Sequence, residues 1–557
     1  MRKPTIVTAL AALITISGTA NAEDHNSAEP AQPKLVVAIS VDQFSADLFA
    51  EYRSSFTDGL KRLANGVVFP SGYQSHAATE TCPGHSTIMT GVHSGRAGII
   101  ANNWIDQSIE REDKTVYCAE DERIAGTSFG DITAATQGDF VASAWHLLVP
   151  TLGERLKKIS PKSRNVAVAG KDRAALMMGG HDVDEIYWWQ GKGFSTLKGR
   201  KIMPAVARLN EVIGAKIDKA RPAFEIPASC SAHSAKIMHG EGKSVGEYAF
   251  ERPDGAASIY RGSPDFDRSI IAAATAVIND MKLGQGEATD VISVGLSATD
   301  YIGHAFGTEG LEMCIQMGEL DRSLGDFFDI LDAQEIDYVV MLTADHGGLD
   351  LPERMSQQGV PTAQRIDPDL NAKTIGKKVA AGLNIPGDKP VLYADGPFGD
   401  YYVSLELSEE QREQVKDSAI ALIAAHDQVE MVLDRDDIAS IEIPRGSPEG
   451  WTLAERARAS FNPDRSGDFI VLLKKGITPI ATTQRGYVST HGSPWDYDRR
   501  VPILFWREGI QHFEQPLSVM TVDIAPTLGA LIGVEITADQ TDGQCLDIDG
   551  GPANSCE

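Results

Sequence analysis

Short apolar runs, each closed by a polar cluster, recur along the chain: Lys34 to Val41 before Asp42, Asn165 to Ala169 before Lys171, Val291 to Leu296 before Asp300, and Tyr338 to Leu342 before Asp345. Runs that are apolar at successive positions, without alternation, suit strands buried on both faces of a sheet. Between them the pattern shifts to a helical period over Ala142 to Ile159 and Ser269 to Met281. In "SLELSEEQREQVKDSAIALIAAHD" a further helix is predicted, opened by a capping box of Ser408 and Gln411. Strands alternating with helices predict an α/β fold with a mainly parallel central sheet sandwiched by helices. In such folds functional groups gather beyond the carboxyl ends of the strands, where Asp42, Lys171, Asp300 and Asp345 stand. Two stretches break the rhythm, about 175–265 and about 352–465, and read as insertions that cap the crevice.

The first residues change the picture of where the protein works. "MRKPTIVTALAALITISGTANA" carries the cations Arg2 and Lys3, an apolar stretch, and the small-x-small site Ala20-Asn21-Ala22. This predicts a signal peptide over residues 1–22, removed near Ala22, then a polar tail over 23–33 and a single domain over 34–557. No second apolar run of about 18 residues follows, so a periplasmic or secreted protein without a membrane span is expected. The formal charge of −27, which falls to −29 once Arg2 and Lys3 are lost, repels nucleic acid and anionic membranes. Six cysteines in an exported chain suggest disulfides, with Cys545 and Cys556 as one pair, while Cys314 in "LEMCIQMGEL" reads as a buried thiol. The acidic tail "TADQTDGQCLDIDGG" offers oxygen ligands to a calcium ion but lacks the EF-hand order, so a solvated loop is expected.

The candidate chemistry lies at the strand ends. Asp300 and His304 in "ATDYIGHAFG" are spaced i and i+4, on one face of a helical turn. Asp345-His346 in "MLTADHGGLD" and His491 in "YVSTHGSPWDYDRRVPILF" precede glycines that allow close backbone approach. With Asp42 they give three Asp and three His, enough for two sites of three protein ligands with open positions. That mixture suits zinc, or else manganese or another divalent ion, and a pair of such ions suits displacement at phosphorus. "TETCPGHSTIMTG" places Thr81 as a helix N-cap with Pro83 in the first turn, a natural seat for phosphate. A threonine hydroxyl becomes a nucleophile once metal coordination lowers its pKa. Each group also has a structural reading: Thr81 and Asp300 as caps, His346 and His491 as turn residues, His85 as a bond near the turn, and Lys171 and Arg173 as a solvated helix start. A sulfatase-type cysteine is disfavoured, because Cys82-Pro83-Gly84-His85-Ser86 departs from Cys-x-Pro-x-Arg.

The segments "VDQF", "TETCPGHSTIMTG", "GIIANNW", "GKDRAA", "TDYIGHAFG", "ADHGG", "STHGSPWDYDRRVPILF" and "TVDIAPTLGALIG" follow one another between residues 36 and 533. In that order they resemble the alkaline phosphatase superfamily, and within it the secreted PafA/PhoK type with a threonine nucleophile. The resemblance implies one zinc on Asp300, His304 and His491, and a second on Asp42, Asp345, His346 and the Thr81 oxygen. Thr81 would attack phosphorus and form a phosphothreonine, and Asn102 would hold a phosphoryl oxygen. Lys171 and Arg173 match the pair that grips the remaining oxygens in the monoesterase branch. A monoester carries one more negative charge than a diester, and a bidentate Arg beside a Lys rewards it. The expected function is an exported zinc-dependent alkaline phosphatase acting on a broad range of phosphate monoesters, with the oligomeric state left open. The alternatives are a nucleotide pyrophosphatase/phosphodiesterase, which shares the Thr, Asn and metal ligands, and more remotely a non-catalytic metal- or phosphate-binding protein.

Overall fold

Among the residues described by the computed structural model (32–124, 140–240, 242–387, 389–484 and 486–557), a ten-stranded sheet dominates. Its order is Phe513–Glu514, Val67–Tyr73, Arg500–Arg507, Tyr338–Thr343, Leu35–Val41, Asp290–Leu296, Asn165–Ala169, Glu185–Gln190 and Gly193–Ser195, with Val519–Met520 also paired to Val67–Tyr73. From Tyr338–Thr343 to Glu185–Gln190 the neighbours run parallel. Arg500–Arg507 runs antiparallel to both of its neighbours. The mainly parallel α/β architecture is therefore as the apolar runs predicted.

The absence of alternation in those runs has a direct cause. Every residue of Leu35–Val41, Asn165–Ala169, Asp290–Leu296 and Tyr338–Thr343 is buried, because helices cover both faces. Leu35, Val37, Ile39 and Val41 pack on one side with Phe266 and Ile270. Val36 and Ala38 pack on the other with Ile88, Met89 and Leu528. Each large aliphatic side chain so buried contributes about 1.5–3 kcal/mol. Asp42 therefore emerges at the end of a rigid central strand.

Three local expectations are revised. The helix expected over Ala142 to Ile159 is confined to Leu152–Ile159. Pro150 lacks an N–H, and Thr151 opens the helix instead through a capping box with Glu154, so residues before it stay non-helical. The helix expected from Ser269 begins earlier, as Pro264–Met281, with Pro264 in its first turn. Cys314 is buried but is not a thiol: it is bonded to Cys230, beside Cys82–Cys118 and the expected Cys545–Cys556. Helical spacing showed that Cys314 faces inward, but not that Cys230 packs against that face. The Ser408 and Gln411 box is present and starts the helix Glu409–Ala424.

The stretch about 175–265 begins inside the main sheet rather than outside it, since Glu185–Gln190 and Gly193–Ser195 extend its edge. The stretch about 352–465 contributes Leu392–Tyr393, Gly399–Val403 and Val429–Asp434 to a second sheet, completed by Phe469–Leu473. This smaller sheet has its own core around Tyr401, Val415, Ile423 and Phe469. Among the described residues no helix is long and apolar enough to cross a membrane. The acidic tail's carboxylates have protein partners: Asp547 Oδ1 accepts the Asp549 N–H at 3.0 Å, Asp549 Oδ1 accepts the Gly551 N–H at 2.7 Å, and Asp542 accepts from the His93 N–H at 2.9 Å and from Arg96 Nη1 at 2.7 Å. The segments expected to be a signal peptide and, up to residue 31, a polar tail lie outside the described residues.

Candidate active site

All the sequence-predicted site residues meet beyond the carboxyl edge of the parallel strands. Asp42 follows Leu35–Val41, and Asp345 and His346 follow Tyr338–Thr343. Asp300 and His304 lie on the helix Ala298–Phe306 that leaves Asp290–Leu296, and Lys171 and Arg173 sit at the start of Asp172–Gly179 after Asn165–Ala169. A cleft of about 1110 Å³ opens here, with Thr81, Asn102, Lys171, Arg173 and His491 in its wall.

Thr81 differs from the N-cap expectation by one position. Glu80 is the N-cap, extended at φ −118° and ψ 166°, and Thr81 is the first residue of the helix Thr81–Thr90. Pro83 still fits the first turn, whose N–H groups have no intrahelical partner in any case. The consequence is that the Thr81 hydroxyl is not spent on capping. Lys171 Nζ and Arg173 Nη2 each donate to Thr81 Oγ1 at 3.4 Å. Arg173 is held in turn by the Tyr117 hydroxyl at 3.3 Å, which donates to Asp172 at 2.7 Å. His85, read as structural, does lie near the turn: its Nδ1 is 2.9 Å from Thr81 O and 3.1 Å from Asp345 Oδ2.

Carboxylates crowd together behind the hydroxyl. Lys171 Nζ sits 2.5 Å from Asp42 Oδ2 and 2.6 Å from Asp300 Oδ2. Burial would raise the Asp300 pKa, but the Lys171 ammonium beside it holds it well below the usual carboxylate range. Asp42 goes the other way, raised by burial and then by the Asp300 and Asp345 charges. One lysine does not balance this many buried carboxylates.

The imidazoles indicate what does. Nδ1 of His304, His346 and His491 is 2.8 Å from the carbonyl oxygens of Ser489, Gly347 and Thr79 respectively. A carbonyl only accepts, so each Nδ1 carries a proton, and in a neutral ring Nε2 presents its lone pair. Burial lowers the pKa of His346 and His491 and keeps them neutral. Those lone pairs face carboxylate oxygens: His304 and His491 Nε2 lie 3.3 Å and 3.4 Å from Asp300 Oδ1, and His346 Nε2 lies 3.4 Å from Asp42 Oδ1 and 3.3 Å from Asp345 Oδ2. Asp42 Oδ1, Asp300 Oδ1 and His346 Nε2 are buried without a hydrogen-bond partner. Acceptors facing acceptors in a buried site fit a cation between them, and the carbonyl on the far nitrogen is the usual support of a metal-binding histidine. Ligand atoms of Asp300, His304 and His491 lie within 4.8 Å of one another, as do those of Asp42, Asp300 and His346. Asp300 thus belongs to both groups, whereas the sequence assigned it to one.

Sequence reasoning missed Gln43, Glu80, Tyr117 and Tyr487. Gln43 holds a positive φ of 66°, which turns its N–H toward Asp345 Oδ1 at 3.1 Å. Such a conformation costs a non-glycine residue about 1–3 kcal/mol and is found where a site over-determines the backbone. The Tyr487 ring lies 5.0 Å from that of His304, tilted by 36°. Gln43 and Glu80 were visible inside the quoted "VDQF" and "TETCPGHSTIMTG" but lack a metal-ligand spacing, and Tyr117 and Tyr487 carry no local signal.

Residues 36–494 match the family described as Type I phosphodiesterase / nucleotide pyrophosphatase. The chain belongs to that family. Among relatives in this phosphodiesterase/nucleotide pyrophosphatase family, alkaline phosphatase PhoK of a Sphingomonas species is 51% identical over 527 residues, covering 94% of this chain and 92% of that protein. Alkaline phosphatase PhoD of Zymomonas mobilis is 44% identical over 564 residues, covering 99% and 96%. The crystal structure of alkaline phosphatase PafA superposes with a TM-score of 0.80 over 94% of this chain and 100% of that one, at 24% identity, which bears on the fold. The resemblance read from the ordered motifs is borne out for family and fold.

Proposed function

We propose that this chain is an exported, zinc-dependent alkaline phosphatase that hydrolyses a broad range of phosphate monoesters through a phosphothreonine. The convergence of Lys171 and Arg173 on the Thr81 hydroxyl, 3.4 Å from each, carries this reading. Asp300, His304 and His491 would hold one zinc, and Asp42, Asp345, His346 and Thr81 the other. Bound there, the ions would supply Lewis acidity that lowers the pKa of the hydroxyl and stabilises charge on the departing oxygen. Thr81 Oγ1 attacks phosphorus, the bond from phosphorus to the alcohol oxygen breaks, and the alcohol leaves with a proton. Water then attacks the phosphothreonine, restoring the threonine hydroxyl and releasing inorganic phosphate. Throughout, Arg173, Lys171 and the Asn102 amide hold the non-bridging oxygens, so the extra charge of a monoester is met by two cations. Export is supported by the residue pattern before Ala22.

The family description also favours a second reading, a phosphodiesterase. The ratio of kcat/KM for a nitrophenyl phosphate monoester to that for the matching diester, on one zinc-loaded preparation at alkaline pH, tests the two. A ratio far above one is expected, and a ratio below one would install the phosphodiesterase.

Chelation should separate metal dependence from fold. After exhaustive EDTA treatment we expect monoester turnover to fall at least about a hundredfold and Tm to drop by about 5 °C or more, both restored by added zinc. Calorimetry with and without chelator checks this, and an unchanged Tm together with full activity would remove the ions from the proposal.

A further inference from the structure

Asn102 is held at three points. Its backbone N–H donates to Glu80 Oε2 at 2.5 Å, and its carbonyl accepts the Cys118 N–H at 2.9 Å. Its side-chain Oδ1 accepts the Cys82 N–H at 2.8 Å. Cys82 and Cys118 are joined by a disulfide, so two of the three holds are covalently linked to each other. With Oδ1 occupied from behind, Nδ2 is the amide group left to the cleft, whose wall includes both Asn102 and Glu80.

We infer that Glu80 is a positioning residue that fixes Asn102 for the phosphoryl group, with the Cys82–Cys118 bridge closing the same frame. The inference rests on the proposed role of Asn102 as a phosphoryl ligand. Glu80 immediately precedes Thr81, so one N-cap sets both the start of the nucleophile helix and the place of the donor across the cleft. The disulfide ties the second residue of that helix to Cys118, which directly follows the strand Thr115–Tyr117 that pairs with Asn103–Ile105. Hydroxyl and amide are therefore carried on one cross-linked frame. A charge-assisted hydrogen bond donated by a backbone N–H to a carboxylate is among the stronger local restraints. An acceptor is needed here in any case, because a backbone N–H left unpaired beside the cleft would compete for the substrate's phosphoryl oxygens.

A double-mutant cycle on the zinc-loaded full chain tests this. Glu80→Ala is expected to lower monoester kcat/KM about tenfold to thirtyfold and to raise the inhibition constant of inorganic phosphate in parallel. Glu80→Gln, which keeps an acceptor oxygen, should stay within about threefold of the parent. In an Asn102→Ala background, Glu80→Ala should cost less than about threefold more. A loss that multiplies fully in that background would overturn the inference while leaving Asn102 its role. Asn102→Ala without loss would overturn both, since Glu80 would then have nothing to position. Should Glu80→Ala not yield folded protein, Glu80→Asp, which keeps the charge but shortens its reach, is judged by the same criterion.

Discussion

Thr81→Ala is expected to abolish turnover of phosphate monoesters, by at least about a thousandfold in kcat, and to leave no phosphoprotein after acid quench with a radiolabelled monoester. A thousandfold is about 4 kcal/mol of barrier, well beyond the loss of one neutral hydrogen bond, so the size of the effect separates a covalent role from a binding one. The fold should survive. Thr81 is the first helical residue and not the cap, so its methyl and hydroxyl are all that the substitution removes. Near-unchanged Tm beside lost activity is the expected pair of results. Retention of more than a tenth of the activity would take the nucleophile role away from Thr81.

The second large effect concerns discrimination. Lys171→Ala combined with Arg173→Ala should lower monoester kcat/KM by about 100- to 1,000-fold, because each cation contributes about 1.5–3 kcal/mol to a charged oxygen and the two share one group. The matching diester, with one charge fewer, should lose about tenfold or less. Measuring both substrates on the same metal-loaded variant cancels changes in active-site fraction. Lys171 also lies between Asp42 and Asp300, so the variant must be assayed with zinc in excess to keep those carboxylates compensated. Equal losses on the two substrates would mean that the pair serves the carboxylates and not the extra charge of the monoester.

Much of this site was legible in the chain because a parallel sheet exposes its chemistry at strand ends. An apolar run buried on both faces must stop where polar groups begin, which is how Asp42, Lys171 and Asp345 stand out. The Asp300 and His304 pair was legible through helical spacing, and Ser408 with Gln411 through a local capping box. What stayed hidden depends on contacts between distant segments. Asp300 falls into two candidate ligand groups because His491 and Asp42 approach it from different segments, and no spacing within "ATDYIGHAFG" encodes that. Cys314 looked like a core thiol because burial and pairing impose the same apolar helical face. Pro150 and Thr151 cut short a helix whose apolar pattern continues through them, because a local stop overrides periodicity. Glu80 was overlooked because a hydrogen bond to a backbone N–H leaves no pattern among side chains.

The order of strands carries a consequence for how the chain acquires its shape. Among the described residues Leu35–Val41 is the first strand in the sequence and the central one in the large sheet, paired with Asp290–Leu296 and Tyr338–Thr343. As the chain leaves the ribosome, that strand waits without a lateral partner until residues far along the message have been translated. Closing loops of that length is entropically slow, and folding rates fall as such non-local pairing grows. An apolar strand held open for so long is a sticky intermediate, one for which a holding chaperone during synthesis would shorten the list of wrong partners.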